Sequence, residues 1–430
     1  MSLLLKNCLV VDPSQHLNKE NLDIYIENGV IQEIKAGLKT KADQTIDLEG
    51  RIVAPGFIDM HVHLREPGFE EKETIKTGSK AAAAGGFTSI ACMANTNPVA
   101  DDVSIIKHIR EVAERNGIVN VLPIGACTVG LKGEHITQIG EMQRFGAVAF
   151  SDDGRPISNA QVMRKVLEYT SMFKAIVISH AEDESLVNGG SMNEGFLSTK
   201  LGLPGIPRAA ETTMILRDIE LANHFGRVHI AHISTKESVE VIRQAKRNGA
   251  PITCETAPHY LTLTEDAVNG YNTNAKMNPP LRKEQDRLAL IDGLQDGTID
   301  MIATDHAPHT QDNKRVEFNL AANGIVGLET AIPLIYTKLV KTGLISLERM
   351  VEAMSTSPSK VFGLGKGTLA VGAVADITIF DPNLTKAVDK TKFYSKGKNT
   401  PFDGWELCGW PCLTIVKGVI KFSAAQGIIA

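Results

Sequence analysis

The chain has 430 residues, of which 43% are hydrophobic and 22% charged, so it can bury a full globular core and is too long for one small sandwich. Its net charge of −5 and the lack of a Lys/Arg block exclude nucleic acid as the main partner, because phosphate binding needs a concentrated basic surface. The sequence contains no uninterrupted run of about 18 apolar residues, so it predicts no membrane span.

The first residues, MSLLLKNCLVVD, lack the basic start of a signal peptide and have the pattern of a strand. Residues 1–53 alternate apolar and polar side chains, with turn signals such as Asn28-Gly29 between the runs. This pattern predicts a small antiparallel β module. Residues 363–430 return to it in VADITIFD and LTIVKGVIKF. Neither end has enough strands to stand alone, so we expect both to pair into one sheet with the chain termini near each other.

Between the two ends, short buried runs alternate with amphipathic stretches such as VSIIKHIREVAERNG. Repeated strand-then-helix units indicate parallel βα structure, and eight of them predict a TIM-type (β/α)8 barrel at residues 54–362. The runs are GFIDMHVHL, TSIACMAN, VNVLPIGAC, AVAFSDD, AIVISHAED, RVHIAHIS, PITCETA and DMIATDH.

Five of these runs end in residue types that bind metals: His61 and His63, Asp153, His180, His232, and Asp305. The carboxyl ends of all strands in a parallel barrel meet on one face, where active sites lie, so these side chains are expected to converge. His61 and His63 are two positions apart on a strand and can therefore reach one ion together.

Two segments resemble the signatures of bacterial class I dihydroorotases of the amidohydrolase superfamily: DMHVHLREP at 59–67 and ATDHAPHTQDNK at 303–314. The resemblance continues through GLGKGTLAVGAVADITIFD at 363–381. Allantoinases and dihydropyrimidinases share the His-x-His, whereas the Arg after HVHL and the DHAPHxxxxK pattern are more specific. The resemblance implies zinc-dependent, reversible cyclisation of N-carbamoyl-L-aspartate to L-dihydroorotate in pyrimidine (UMP) biosynthesis.

It also implies one or two Zn²⁺ ions, with two favoured. His61 and His63 would bind the first ion and His180 and His232 the second. Asp153 would supply the bridging carboxylate that other superfamily members take from a carboxylated lysine, with Asp152 as the alternative. Asp305 would be both a ligand and the catalytic acid/base. We interpret His229 as structural and assign no role to His306.

Substrate recognition falls to a further set of residues. A guanidinium binds a carboxylate in bidentate fashion, and Arg65 is the residue placed to do so. The resemblance adds His63, Asn95, Asn278, His309 and the backbone of Asn323 and Gly324. Segment 310–323 is either a closing lid or a surface loop.

Two other functions stay open on the sequence: a dihydropyrimidinase- or allantoinase-like hydrolase, and a non-catalytic scaffold for aspartate transcarbamoylase. Association with that transcarbamoylase, or with a second copy in a homodimer, is likewise open. The six scattered cysteines predict reduced thiols and a cytoplasmic protein.

Overall fold

The computed structural model describes residues 2–429. The N-terminal segment forms five strands: β1 (Ser2–Asp12), β2 (Leu17–Glu27), β3 (Val30–Lys35), β4 (Gln44–Asp47) and β5 (Ile52–Pro55). β1, β2 and β3 are antiparallel neighbours, whereas β4 and β5 pair with β1 in parallel. The turn between β2 and β3 is Asn28-Gly29, both at positive φ, as a two-residue hairpin requires.

Eight parallel strands follow and form the predicted barrel. They are β6 (Phe57–Val62), β7 (Phe87–Cys92), β8 (Asn120–Gly125), β9 (Ala149–Ser151), β10 (Val177–Ser179), β13 (Val228–Ile230), β14 (Ile252–Thr256) and β15 (Met301–Ile302), with β11 (Met192–Asn193) and β12 (Gly205–Ile206) as a separate two-stranded ladder. A bridge from Val62 to His306 and a 2.9 Å hydrogen bond from His63 N to His306 O join the first strand to the last. All eight runs identified in the sequence are barrel strands.

Helices surround this barrel. They are α1 (Ile75–Ala84), α2 (Val103–Asn116), α3 (Ile139–Arg144), α4 (Ala160–Met172), α5 (Glu184–Val187), α6 (Phe196–Leu201), α7 (Ala209–Phe225), α8 (Lys236–Arg247), α9 (Pro258–Thr262), α10 (Glu284–Gln295), α11 (Gln311–Lys314), α12 (Ala331–Ile335), α13 (Leu347–Val351) and α14 (Ser357–Phe362). The amphipathic stretch VSIIKHIREVAERNG contains α2, and both α2 and α8 begin with a side-chain cap, Asp102 and Thr235 respectively. None of the helices in the described part of the chain has the length and apolar character needed to cross a bilayer.

The barrel interior has its own apolar cluster, which includes Ile58 and Met60 of β6. Val62 and Leu64 belong instead to the larger cluster between the strands and the helices. Met60 and Val62 therefore pack into different clusters although they are two positions apart, and the pairing of β6 with β7 is irregular between Asp59 and Val62. This irregularity lies beside the His-x-His pair and changes the face that the strand end presents.

The C-terminal segment adds β16 (Ile377–Ala387), β17 (Glu406–Val416), β18 (Val419–Ser423) and β19 (Gly427–Ile428). β16 pairs with β5 in antiparallel fashion, so the two ends of the chain do form one sheet, in the order β19-β18-β17-β16-β5-β1-β2-β3. Four strands separate β1 from β19 in this order, and the expected proximity of the chain termini stays a prediction. The ends meet through inner strands because β5 leads directly through Gly56 into the barrel. The segment boundaries at 53/54 and 362/363 stay predictions.

Candidate active site

The side chains predicted to bind metal are all buried and lie together at the carboxyl ends of the barrel strands. His61 Nε2 is 3.4 Å from Asp153 Oδ1 and 3.5 Å from Asp305 Oδ1. His63 Nε2 is 3.1 Å from Asp305 Oδ1 and 3.5 Å from Asp153 Oδ2. The histidines of β6 therefore face two carboxylates that come from β9 and β15.

Asp153 lies at the centre of the cluster. Its Oδ1 is also 3.3 Å from His180 Nδ1 and 3.4 Å from His232 Nε2. One carboxylate thus faces four imidazoles, two from the β6 side and two from the side of β10 and β13. This is the position that a bridging ligand would need.

Two potential ligand atoms of the cluster lack hydrogen-bond partners within residues 2–429, as expected of atoms that bind a metal ion. His61 Nε2 and Asp153 Oδ1 are buried and form no hydrogen bond in the described structure. Ligands about 2.0–2.1 Å from a tetrahedral zinc ion lie roughly 3.3 Å from one another, close to the spacings found here. Two groups could each hold an ion: His61 with Asp153 and His232, and His61 with His63 and Asp305.

Asp152 points away from this cluster. Its carboxylate accepts hydrogen bonds from Cys127 N at 2.8 Å and Thr128 N at 3.0 Å, and burial raises its pKa to about 6. The side chain therefore fastens the loop after β8. Of the two aspartates left open by the sequence, the geometry favours Asp153 as the ligand.

Hydrogen bonds from the Nδ1 atoms fix the orientation of the two β6 histidines. His61 Nδ1 donates to Glu255 Oε1 at 2.7 Å, and His63 Nδ1 donates to Asn95 Oδ1 at 3.0 Å. Each bond leaves Nε2, the atom that faces the carboxylates, free to bind a metal. Asn95 thus has a role that the sequence did not indicate.

Glu255 itself was missed, although it is a charged residue at the end of a buried run, CETA, which is the signal that identified the other site residues. Its Oε2 accepts from His229 Nε2 at 3.1 Å. Burial opposes its ionisation, but the hydrogen bonds of His229 and His61 lower the pKa of Glu255 to about 2. His229 is buried and structural, as expected, and orients the carboxylate behind His61.

Without a bound metal, positively charged imidazoles balance the negative charge of the carboxylates in the site. Burial alone would lower the pKa of His180, but hydrogen bonds to Asp153 and Glu182 raise it to about 10. Burial works against ionisation of Asp153 as well, and the charge of His61 still holds its pKa well below the usual range. Since metal ligands must be unprotonated imidazoles and ionised carboxylates, a bound divalent cation would displace the imidazole protons.

Three functional residues have the left-handed backbone that non-glycine residues seldom adopt: Arg65 at φ 63°, His232 at φ 34° and Asp305 at φ 49°. All three lie two or three residues beyond the end of a barrel strand, β6, β13 or β15. The turn aims each side chain across the barrel mouth, and the surrounding packing has to stabilise the strained conformation.

Beside the metal cluster is a cavity of about 230 Å³. Its lining includes every residue that the sequence assigned to substrate binding: His63, Arg65, Asn95, Asn278, His309, Asn323 and Gly324. Arg65 Nε, Asn278 Oδ1 and His309 Nδ1 are buried there without a hydrogen-bond partner among the described residues. Burial lowers the pKa of Arg65 to about 10, so its guanidinium is still a cation at neutral pH.

The backbone of Gly324 is more constrained than expected. Its N–H donates to Lys276 O at 2.9 Å, and its carbonyl accepts from Asn399 Nδ2 at 3.1 Å. With φ at +105°, a Cβ on Gly324 would lie 2.5 Å from Ala307 Cβ, so only glycine fits. Gly324 lines the cavity, but both of its backbone polar groups already have partners in the protein.

Segment 310–323 contains α11 and is fastened to the barrel. Lys314 Nζ donates to Ala322 O at 2.6 Å, and Lys276 Nζ donates to Asn319 O at 2.8 Å. His309 Nε2 donates to Asn323 O at 2.8 Å where the segment ends. The structure thus has a cross-linked loop beside the cavity, and its closure over a substrate stays a prediction.

The chain is similar to known proteins in both sequence and fold. The sequence model of a family described as Dihydro-orotase-like matches residues 50–238. Proteins named Dihydroorotase are 54% identical over 424 residues in Pelobacter propionicus (98% of this chain and 100% of that protein) and 53% identical over 417 residues in Acetivibrio thermocellus (97% and 98%). Among solved structures, the L-hydantoinase (dihydropyrimidinase) of Arthrobacter aurescens superposes with a TM-score of 0.91 at 28% identity, covering 99% of this chain and 97% of that one.

Proposed function

The chain belongs to the dihydroorotase family, and from this membership we infer that it interconverts N-carbamoyl-L-aspartate and L-dihydroorotate in the synthesis of pyrimidines. One observation carries the inference. Four histidines and two aspartates converge beside a cavity lined by Arg65, in a chain that is 54% identical to a dihydroorotase over nearly its full length. The expectation drawn from the two motifs is thereby confirmed at the level of the family and its reaction.

The metal centre is assigned as follows. His61, His63 and Asp305 would hold one ion, His180 and His232 a second, and Asp153 would bridge the two. Imidazole and carboxylate donors suit zinc, and the six ligands are enough for two ions. Bound zinc would lower the pKa of a water to near neutral and polarise the ring carbonyl that is attacked.

Arg65 is assigned to the carboxylate that does not react. Both the open and the cyclic substrate keep this carboxylate, and a guanidinium matches its two oxygens with two parallel N–H donors. The Arg65 Nε atom lacks a partner in the cavity, so it has a donor to offer. His309 and Asn95, on the same cavity wall, would complete the binding of this group.

Asp305 is assigned to proton transfer. Its Oδ1 lies 3.1 Å from His63 Nε2, at the junction between the metal cluster and the cavity. In the ring-opening direction water adds to the ring carbonyl carbon, the bond from that carbon to the ring nitrogen breaks, and the carbonyl becomes a carboxylate. Asp305 would take a proton from the attacking water and deliver it to the departing nitrogen; ring closure reverses these steps.

Two rival functions are disfavoured by specific features. Hydantoins and dihydropyrimidines lack the carboxylate arrangement that Arg65 in the cavity would serve, so likeness to hydantoinases is a likeness of fold and metal chemistry. A non-catalytic scaffold has no need for a complete set of six ligands, and all six converge here.

The test is to assay the purified protein in both directions together with its metal content. We expect turnover of N-carbamoyl-L-aspartate and L-dihydroorotate, about two zinc ions per chain, and at most weak activity on hydantoin, dihydrouracil and allantoin. Preference for dihydrouracil or hydantoin would refute the assignment of substrate. A folded, metal-loaded chain without turnover of any of them would favour the scaffold.

Partners and location are part of the same proposal. A homodimer and a complex with aspartate transcarbamoylase are the two assemblies to look for, by light scattering of the protein alone and mixed with the transcarbamoylase. All six cysteines are free in the structure, as a cytoplasmic enzyme would have them. A monomer at every concentration and in every mixture would contradict both assemblies.

A further inference from the structure

One wall of the cavity is held in place by a part of the chain that lies in the C-terminal segment, between two strands of the terminal sheet. Between β16 and β17 the chain leaves that sheet, and residues 393–399, here called the crossing segment, lie against the barrel. Tyr394 N and Ser395 N donate to Glu329 at 3.0 and 3.1 Å, and Ser395 Oγ contacts Glu73. The crossing segment ends at Asn399, of which only 4% is exposed.

The Asn399 side chain uses its whole amide to join two backbone segments. Its Oδ1 accepts from His309 N at 3.0 Å, while its Nδ2 donates to Ala307 O at 2.9 Å and to Gly324 O at 3.1 Å. Its own carbonyl accepts from Val326 N at 3.0 Å. The partners of the side chain lie 75 to 92 positions away in the sequence.

The two segments that Asn399 joins carry one wall of the cavity. His309 and Gly324 both line it, and the His309 ring also donates to Asn323 O at 2.8 Å. The two segments also meet directly, in a parallel bridge between His306 and Ile325 and a hydrogen bond of 2.8 Å from Ala307 N to Ile325 O. A shift of either segment would change the position of the His309 imidazole relative to Arg65.

We propose that Asn399 is a positioning residue for substrate binding, which sets the distance between the His309 and Gly324 segments without touching the substrate. The proposal rests on the assignment of this wall to the unreactive carboxylate. Only an amide side chain can make these three hydrogen bonds, because two N–H donors and one acceptor oxygen are needed at the same point. Aspartate has the same shape but no donor, and would turn its charge towards two carbonyl oxygens.

The experiment compares Asn399→Asp and Asn399→Ala with wild type. Because a carboxylate that does not react contributes mainly to binding, we expect KM to rise about tenfold while kcat stays within about threefold. Zinc content should be unchanged. An Asn399→Asp protein with normal KM, or one whose kcat falls as far as KM rises, overturns the proposal.

A matched control separates positioning from general stability. Asp23, 2% exposed in the terminal sheet, likewise joins backbone segments by accepting from Asn7 N at 3.0 Å and Leu38 N at 2.8 Å. Asp23→Ala should destabilise the chain as Asn399→Ala does but leave KM unchanged. A raised KM in the control would show that lost stability alone moves this parameter.

Two further measurements complete the test. If Asn399 acts through His309, the rise in KM for the double variant Asn399→Asp/His309→Ala should be smaller than the product of the two single effects, and multiplicative effects contradict this route. Hydrogen exchange should also be faster in residues 303–326 of Asn399→Asp and unchanged there in Asp23→Ala. This readout needs no turnover: an inactive wild type would refute the proposed function, whereas unaltered exchange would refute the role of Asn399.

Discussion

The cavity has two halves that are built in different ways. The half with the proposed metal ligands draws them from the ends of five barrel strands, and each of these residues lies within or just beyond a buried run of its own strand. The substrate half takes Arg65, His309 and Gly324 from loops, and a side chain from far along the sequence, Asn399, fastens two of those loops. Strand ends are placed by the barrel itself, whereas loop residues need separate tethers.

Because the two halves differ in this way, substitutions in the metal half should abolish the reaction, whereas substitutions in the substrate half should weaken substrate binding. The largest effect is expected for Asp153→Ala. Its carboxylate faces all four histidines, so both metal sites should lose occupancy, and kcat should fall by about 10³-fold or more because several kcal/mol of transition-state stabilisation is lost. His180→Ala should affect mainly the second ion.

Metal analysis beside kinetics checks this prediction. Asp152→Asn is the matched control, since the neighbouring carboxylate points to the loop after β8 and should leave zinc content unchanged. Added bicarbonate should not improve reconstitution of the metal-free protein, because no lysine of this strand needs carboxylation. An Asp153→Ala protein that still holds two ions would show that the bridge is elsewhere.

Asp305→Asn should come next. The amide keeps the shape of the side chain but cannot take up the proton, so turnover in both directions should fall about 10²–10⁴-fold, with substrate binding less affected. Steady-state kinetics in both directions measure this effect. A variant that retains more than about a tenth of wild-type kcat would mean that another base acts.

Arg65→Lys tests the substrate half. An ammonium cannot reproduce the planar pair of donors, and a hydrogen bond to a charged group is worth about 1.5–3 kcal/mol, so kcat/KM should fall about 10- to 100-fold. Zinc content should stay at the wild-type level. Near-normal kinetics would remove the main reason to prefer dihydroorotase over hydantoinase activity.

The smallest effect is a pH dependence at Glu329, which accepts hydrogen bonds from the crossing segment. Burial raises the pKa of Glu329 to about 7, although the side chain keeps partial contact with solvent. Its folded pKa lies above the unfolded value of about 4.3, so the folded state binds more protons in this range. The contribution of Glu329 to stability is therefore complete below about pH 4 and is lost as pH rises through 7.

Urea unfolding of wild type and Glu329→Gln between pH 5 and 8 measures this contribution. We expect the wild-type free energy of unfolding to fall relative to the variant by on the order of 1 kcal/mol over that range, discounted for solvent contact. Metal content should not differ. If the unfolding free energies of the two proteins change with pH in parallel, the pKa of Glu329 does not differ between the folded and unfolded states.

The sequence by itself determined the barrel and the metal half. Buried runs of four to eight residues ending in His or Asp specify both a strand and the position of its polar end, so His61, His63, His180, His232 and Asp305 could be placed together without coordinates. The hydrophobic pattern of the two chain ends similarly predicted a shared sheet. These features follow from local periodicity, which a sequence displays directly.

Tertiary structure alone decided what depends on direction and on distant contacts. Only the fold shows that Asp152 turns to Cys127 while Asp153 turns to the histidines, because adjacent residues at a strand end have no pattern that distinguishes them. Only the fold brings Asn399 to His309, across 90 positions of sequence. A hydrogen bond between a side chain and a remote backbone leaves no periodic signal in either segment, since the partner is a peptide group that every residue carries.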